Sequence, residues 1–69
     1  MTDDLPFRFY AAADELMALA QMLKRTSFDD CERLADKRSF YGLRLERDVM
    51  WGVVLELQRQ LAEHGFAPR

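Results

Sequence analysis

The chain has 69 residues, of which 49% are hydrophobic and 32% charged, with one cysteine, one histidine and a formal net charge of −2. A single domain spanning 1–69 follows from that length, and a domain so small buries only roughly 60% of the surface its unfolded chain exposes. Cys31 alone excludes an intrachain disulfide, Cys31 and His64 are too few soft ligands for a structural zinc site, and the apolar content excludes a disordered chain.

The charges are unevenly placed. Residues 1–23 carry Arg8 against Asp3, Asp4, Asp14 and Glu15, residues 24–48 carry seven basic and six acidic side chains, and residues 49–69 balance. Binding to a phosphate backbone draws on concentrated positive charge, and here Lys and Arg are interspersed with nearly as many carboxylates. General nucleic-acid affinity is therefore not expected. Met1 to Pro6 shows no basic stretch leading into an apolar run, and no segment reaches the roughly 18 continuous apolar residues that span a bilayer. With a lone cysteine, the expectation is a protein of the reducing cytoplasm with no membrane association.

The first helix is predicted over about 6–25. Pro6 suits a first helical position, Asp3 and Asp4 lie near the positive end of the dipole, and Lys24 and Arg25 near the negative end. At 100° per residue, Phe9, Ala12, Ala13, Leu16, Met17, Leu19, Ala20 and Leu23 share one broad face. A rival reading makes Phe7 to Tyr10 extended and starts the helix near Ala11. Ser27-Phe-Asp-Asp30 reads as a capped start for a second, short helix over about 28–38, with Phe28, Cys31, Leu34 and Ala35 on one side. Arg38 to Gly42 reads as a connection, with Gly42 as its punctuation.

The third helix, about 43–64, ends in His64-Gly-Phe-Ala-Pro68. There Gly65 can turn left-handed, Phe66 can fold back on Leu61 and Pro68 stops the helix. A hairpin over Leu43 to Glu46 and Val49 to Leu57 competes, because β-branched and aromatic residues are dense there. On a wheel the helix has two apolar surfaces. The wider holds Val49, Met50, Val53, Val54, Leu57 and Leu61, with the spacing needed to pack along the first helix. The other holds Trp51, Leu55 and Ala62, bordered by Arg44, Arg47, Asp48 and Gln58. One antiparallel partner cannot cover both. Three coverings stay open for the Trp51 side: the short second helix, a second copy of the chain, or a different protein. Trp and Arg are enriched among residues that dominate interfaces.

No catalytic constellation is legible. Cys31 lacks a local nucleophile signature and sits at an apolar helical position, and Glu46 and Asp48, two apart, do not face each other on a helix. The expectation is a protein that is not an enzyme and needs no cofactor or metal. A helix-turn-helix is suggested by the order of the second and third helices, with Lys37, Arg38, Arg44 and Arg47 near the would-be recognition helix, although that helix turns apolar one turn later. Phe9 to Asp14 and Phe28 to Lys37 resemble short stretches of the small Hha-type nucleoid modulators, which act by binding another protein. They occur here in the opposite order, so no residue role is carried over.

Together these features predict an all-α domain, a small helical hairpin or three-helix unit completed by dimerisation. Its expected function is that of a protein-binding regulator, an inhibitor, adaptor or chaperone, that is a homodimer with a heterologous protein partner. Candidate binding residues are Trp51, Leu55, Gln58, Ala62, Tyr41, Arg44 and Arg47. The alternatives are a DNA-associated regulator and a structural subunit of a larger assembly.

Overall fold

A computed structural model describes residues 5–67, and within them the chain is an all-α domain of three helices. They are α1 (Ala13–Arg25), α2 (Phe28–Leu34) and α3 (Glu46–Glu63), with a two-residue hairpin, β1 (Phe40–Tyr41) and β2 (Arg44–Leu45), between α2 and α3. Each of the other elements packs on α3. The core is Ala20 and Leu23 of α1, Cys31 of α2, and Val54 and Leu61 of α3, with Leu16, Leu19, Met50, Trp51, Leu57 and Phe66 packed against it.

Helix α1 begins at Ala13, seven residues later than the first helix predicted from 6, and close to the rival start near Ala11. The start is fixed where the Ala12 N–H donates to the Glu15 carboxylate at 2.8 Å. Asp14 and Glu15 then occupy the first turn, where the dipole favours acids. The residues before it, Leu5 to Ala12, form an arm that is neither helix nor strand. The expectations placed on Asp3, Asp4 and Pro68 lie outside the described residues.

Helix α2 starts as expected, through a reciprocal pair: Ser27 Oγ accepts the Asp30 N–H at 3.2 Å and the Ser27 N–H donates to Asp30 Oδ2 at 2.9 Å. It ends at Leu34, short of the expected 38. The reason is competition for backbone donors. The Asp36 N–H is taken by Glu46 Oε1 at 2.8 Å and the Arg38 N–H by the Asp36 carboxylate at 2.9 Å, so neither continues the helix.

The connection that follows is more ordered than a loop. Gly42 at φ +66° turns the chain, Phe40 pairs with Leu45 and Tyr41 with Arg44. Leu43 to Leu45, expected in the third helix, are used in this hairpin, and α3 starts at Glu46. The longer hairpin over Val49 to Leu57 does not form, because those residues are helical throughout. At the other end Gly65 adopts φ +90°, its N–H reaches the Ala62 carbonyl at 3.0 Å, and the Phe66 N–H reaches the Leu61 carbonyl at 2.8 Å. These two bonds are the Schellman pattern, with the aromatic folded back on the helix.

Candidate functional site

Helix α2 lies across the Trp51 side of α3. The Phe28 and Trp51 rings meet edge to face, with centroids 6.0 Å apart and planes at 87°, a geometry that the ring quadrupoles favour. Arg47 stacks over the other partner of that pair, its guanidinium carbon 5.2 Å from the Phe28 centroid. Its Nη1 lies 3.7 Å from Glu32 and its Nε donates to Asp48 at 3.3 Å. Gln58 is half-buried and donates through Nε2 to the Leu23 carbonyl at 2.8 Å, tying α3 to the last turn of α1. Trp51, Arg47 and Gln58 are thus all engaged within the chain.

Tyr41 is held at its tip. Its hydroxyl donates to Glu46 Oε2 at 2.9 Å while the Asp36 N–H occupies Glu46 Oε1. These donors, the Asp36 amide foremost, keep the Glu46 carboxyl below its ordinary range, and the adjacent carboxylate raises the Tyr41 hydroxyl above its own. Glu46 therefore joins the end of α2, the hairpin and the start of α3. Arg44, Leu55 and Ala62, the remaining residues singled out in the sequence, are exposed. Arg44 makes no ion pair among the described residues. The structure brings Trp51, Arg47 and Phe28 together, and leaves Leu55 and Ala62 on a separate outer strip.

Open apolar surface also lies elsewhere, on another flank of α3. Val53, expected to pack along α1, is 52% exposed there. The reason is geometric: α1 and α2 approach α3 from sides that centre its buried stripe on Met50, Val54, Leu57 and Leu61, and Val53 falls outside that stripe. Two open cavities line this flank. One, about 520 Å³, is bounded by Phe7 and Phe9 of the arm, Leu16 and Leu19 of α1, and Leu57, Gln60, Leu61, His64 and Phe66. The other, about 560 Å³, is bounded by Leu5 and Phe7, Arg44, and Val49, Gly52, Val53, Glu56, Leu57 and Gln60. Phe7, Leu57 and Gln60 border both, which makes one continuous groove.

The arm that borders the groove leaves it loosely closed. Leu5 borders one cavity, Phe9 the other and Phe7 both. Phe7 nevertheless keeps 84% of its surface exposed. The alternation Leu5-Pro-Phe7-Arg-Phe9 was the available sequence signal for this site, and it is masked when the segment is read as helix.

Two global quantities agree with the exposure of Leu5, Phe7, Phe9 and Tyr10 before α1. The Cα radius of gyration is 13.3 Å, against about 11 Å for a compact domain of this length. The accessible surface is 5962 Å², where a folded monomer of 8.1 kDa has about 4,500 Å².

Other chemistry is sparse among the described residues. Cys31 is 3% exposed and belongs to the core, and no group of three or more His, Cys, Asp or Glu side chains is placed to hold a metal ion. Among the same residues, no helix is long and apolar enough to cross a membrane. No curated protein and no solved structure matches this chain. A family model does match it, over residues 1–69, and the chain therefore belongs to the family described as a family of unknown function, DUF7706.

Proposed function

We propose that the protein is a small, non-enzymatic protein-binding module that works as a homodimer, acting on another protein as an inhibitor, adaptor or chaperone of the cytoplasm. The observation that carries this reading is the apolar surface. Eleven large hydrophobic side chains among the described residues are exposed, and four of them, Leu5, Phe7, Phe9 and Val53, line the groove, whereas five residues are buried in the core. Scattered apolar residues are ordinary on a surface, but a contiguous set lining one groove marks an interaction site. A 69-residue chain with so small a core also needs a supplement to its stability, and association supplies one.

The charge pattern favours protein over nucleic acid as the target. Arg33 is paired with Asp30, Arg47 with Glu32 and Asp48, and Arg59 with Glu56 and Glu63, so three of the ten basic side chains are locally neutralised. The segment between α2 and α3 carries a hairpin, where a helix-turn-helix has a turn of three or four residues.

Sedimentation equilibrium on the wild-type chain tests the oligomeric part of the reading. A reversible monomer–dimer equilibrium with a dissociation constant in the micromolar range or below is expected. A chain that stays monomeric at concentrations on the order of 100 μM would refute it.

A further inference from the structure

Residues 37–44, Lys-Arg-Ser-Phe-Tyr-Gly-Leu-Arg, carry three cations and no acid. They form the hairpin and the turn that leads into it. Gly42 at φ +66° and Leu43, whose φ is not positive, make a two-residue turn with glycine in the first central place, a form that matches the twist of the strands. At the base, the Ser39 carbonyl accepts the Glu46 N–H at 3.1 Å. Tyr41 and Arg44 are cross-strand partners and share a face. The neighbouring carboxylates are already engaged: Asp36 by the Arg38 N–H, Glu46 by the Asp36 N–H and the Tyr41 hydroxyl, Glu32 and Asp48 by Arg47. Lys37, Arg38 and Arg44 are exposed and make no ion pair among the described residues. Between them Phe40 and Tyr41 are more than half exposed, and Leu43 at the apex is 100% exposed. A leucine so placed gains no burial from its own fold.

We infer that this hairpin docks an acidic segment of a partner protein, one that mixes Asp or Glu with apolar side chains. Its carboxylates pair with Lys37, Arg38 and Arg44, and an apolar side chain covers Leu43 and the exposed rings. This rests on the protein-binding reading, independently of the homodimer, and names the partner's chemistry. Charge complementarity is the first argument. Cations without a carboxylate partner in their own chain, set among apolar side chains, are how basic clusters hold acidic motifs, and the adjoining apolar contact strengthens each pair by excluding water. The extent of the patch is the second argument. The hairpin segment carries +3 in a chain of net −2, so the remaining residues carry −5. An extended polyanion, whether a nucleic-acid duplex or an anionic bilayer, reaches past a hairpin of this size and meets that acidic excess, which repels it. A short acidic segment of a protein engages the hairpin alone.

The test selects a display library of random peptides on the wild-type chain. The enriched peptides are resynthesised and titrated by fluorescence anisotropy against wild type, Arg38→Glu/Arg44→Glu, Leu43→Ser and Arg8→Glu/Arg25→Glu. The last makes the same change in total charge at exposed positions outside the hairpin. Peptides rich in Asp and Glu are expected. Their affinity should fall at least about tenfold in Arg38→Glu/Arg44→Glu, about threefold in Leu43→Ser and less than about twofold in Arg8→Glu/Arg25→Glu. Enriched peptides without an acidic excess, or acidic ones that bind the hairpin variants as they bind wild type, would overturn this surface and leave the protein-binding reading standing. An equal loss in Arg8→Glu/Arg25→Glu would reduce the effect to net charge and also overturn it. Tighter binding of oligodeoxythymidine or of phosphatidylserine vesicles than of any enriched peptide would overturn the choice of partner. Enrichment of no peptide would count against the protein-binding reading and this inference together. If circular dichroism shows that Arg38→Glu/Arg44→Glu loses helicity, Leu43→Ser decides: unchanged affinity refutes the inference and weakened affinity supports it.

Discussion

Gln58 offers the sharpest separation between a binding residue and a fold residue. Its Nε2 donates at 2.8 Å to the Leu23 carbonyl across 35 positions of sequence, in a half-buried setting at the seam of α1 and α3. Substitution by methionine keeps the length and helix propensity of the side chain and removes the donor. A neutral hydrogen bond contributes about 0.5–1.5 kcal/mol net. The Leu23 carbonyl would not be orphaned, because the Thr26 N–H also reaches it at 3.2 Å. The penalty for a stranded buried acceptor therefore does not apply, and the loss should be about 1 kcal/mol. For a domain of this size that lowers Tm by about 4–8 °C. The assay is thermal melting by circular dichroism, with wild type and variant at one fixed chain concentration, since association makes Tm depend on concentration. An unchanged Tm would refute the seam role. So would a fall of 20 °C or more, which would require a penalty of roughly 3 kcal/mol or more.

Other substitutions probe the local devices. Ser27→Ala removes the acceptor for the Asp30 N–H and should cost about 1 kcal/mol, with faster amide exchange confined to α2; uniform exchange across the chain would contradict that locality. Gly65→Ala forces a side chain into φ +90°. No atom lies within 4 Å of the new Cβ, so the cost is backbone strain alone, about 1–2 kcal/mol in urea denaturation, and an unaltered midpoint would count against the Schellman ending. Acid should destabilise the domain in part through Glu46 and Glu56, whose folded carboxyls titrate below their ordinary 4.5, Glu56 at about 2 beside Arg59. A lowered folded value means the contribution is complete above the unfolded value and is lost as pH falls through the folded one. Tm should thus drop as pH falls below about 4.5 toward 2, less steeply in Glu46→Gln and at high salt. Equal slopes for wild type and Glu46→Gln would exclude a contribution from Glu46.

The parts of the fold that the sequence determined by itself are those fixed by neighbours within one or two turns. The Ser27–Asp30 cap and the Gly65–Phe66 ending are closed by bonds between residues three to five apart, and both were legible as residue types at fixed spacing. The all-α class followed from periodicity in α1 and α3 for the same reason. Tertiary structure decided the rest. The start of α1 depends on whether Phe7 and Phe9 follow the helix or border a groove formed by α1 and α3, and a local pattern cannot weigh those two. The end of α2 depends on Glu46, ten positions beyond Asp36, taking a backbone donor that would have extended the helix. Whether Trp51 faces a partner or the core depends on where α2 lies, and Phe28 meets it across 23 positions. Val53 and Val54 are chemically identical neighbours, yet one is half-exposed and the other buried. Only the directions from which α1 and α2 approach α3 distinguish them, because burial is a property of the packed elements and not of the residue.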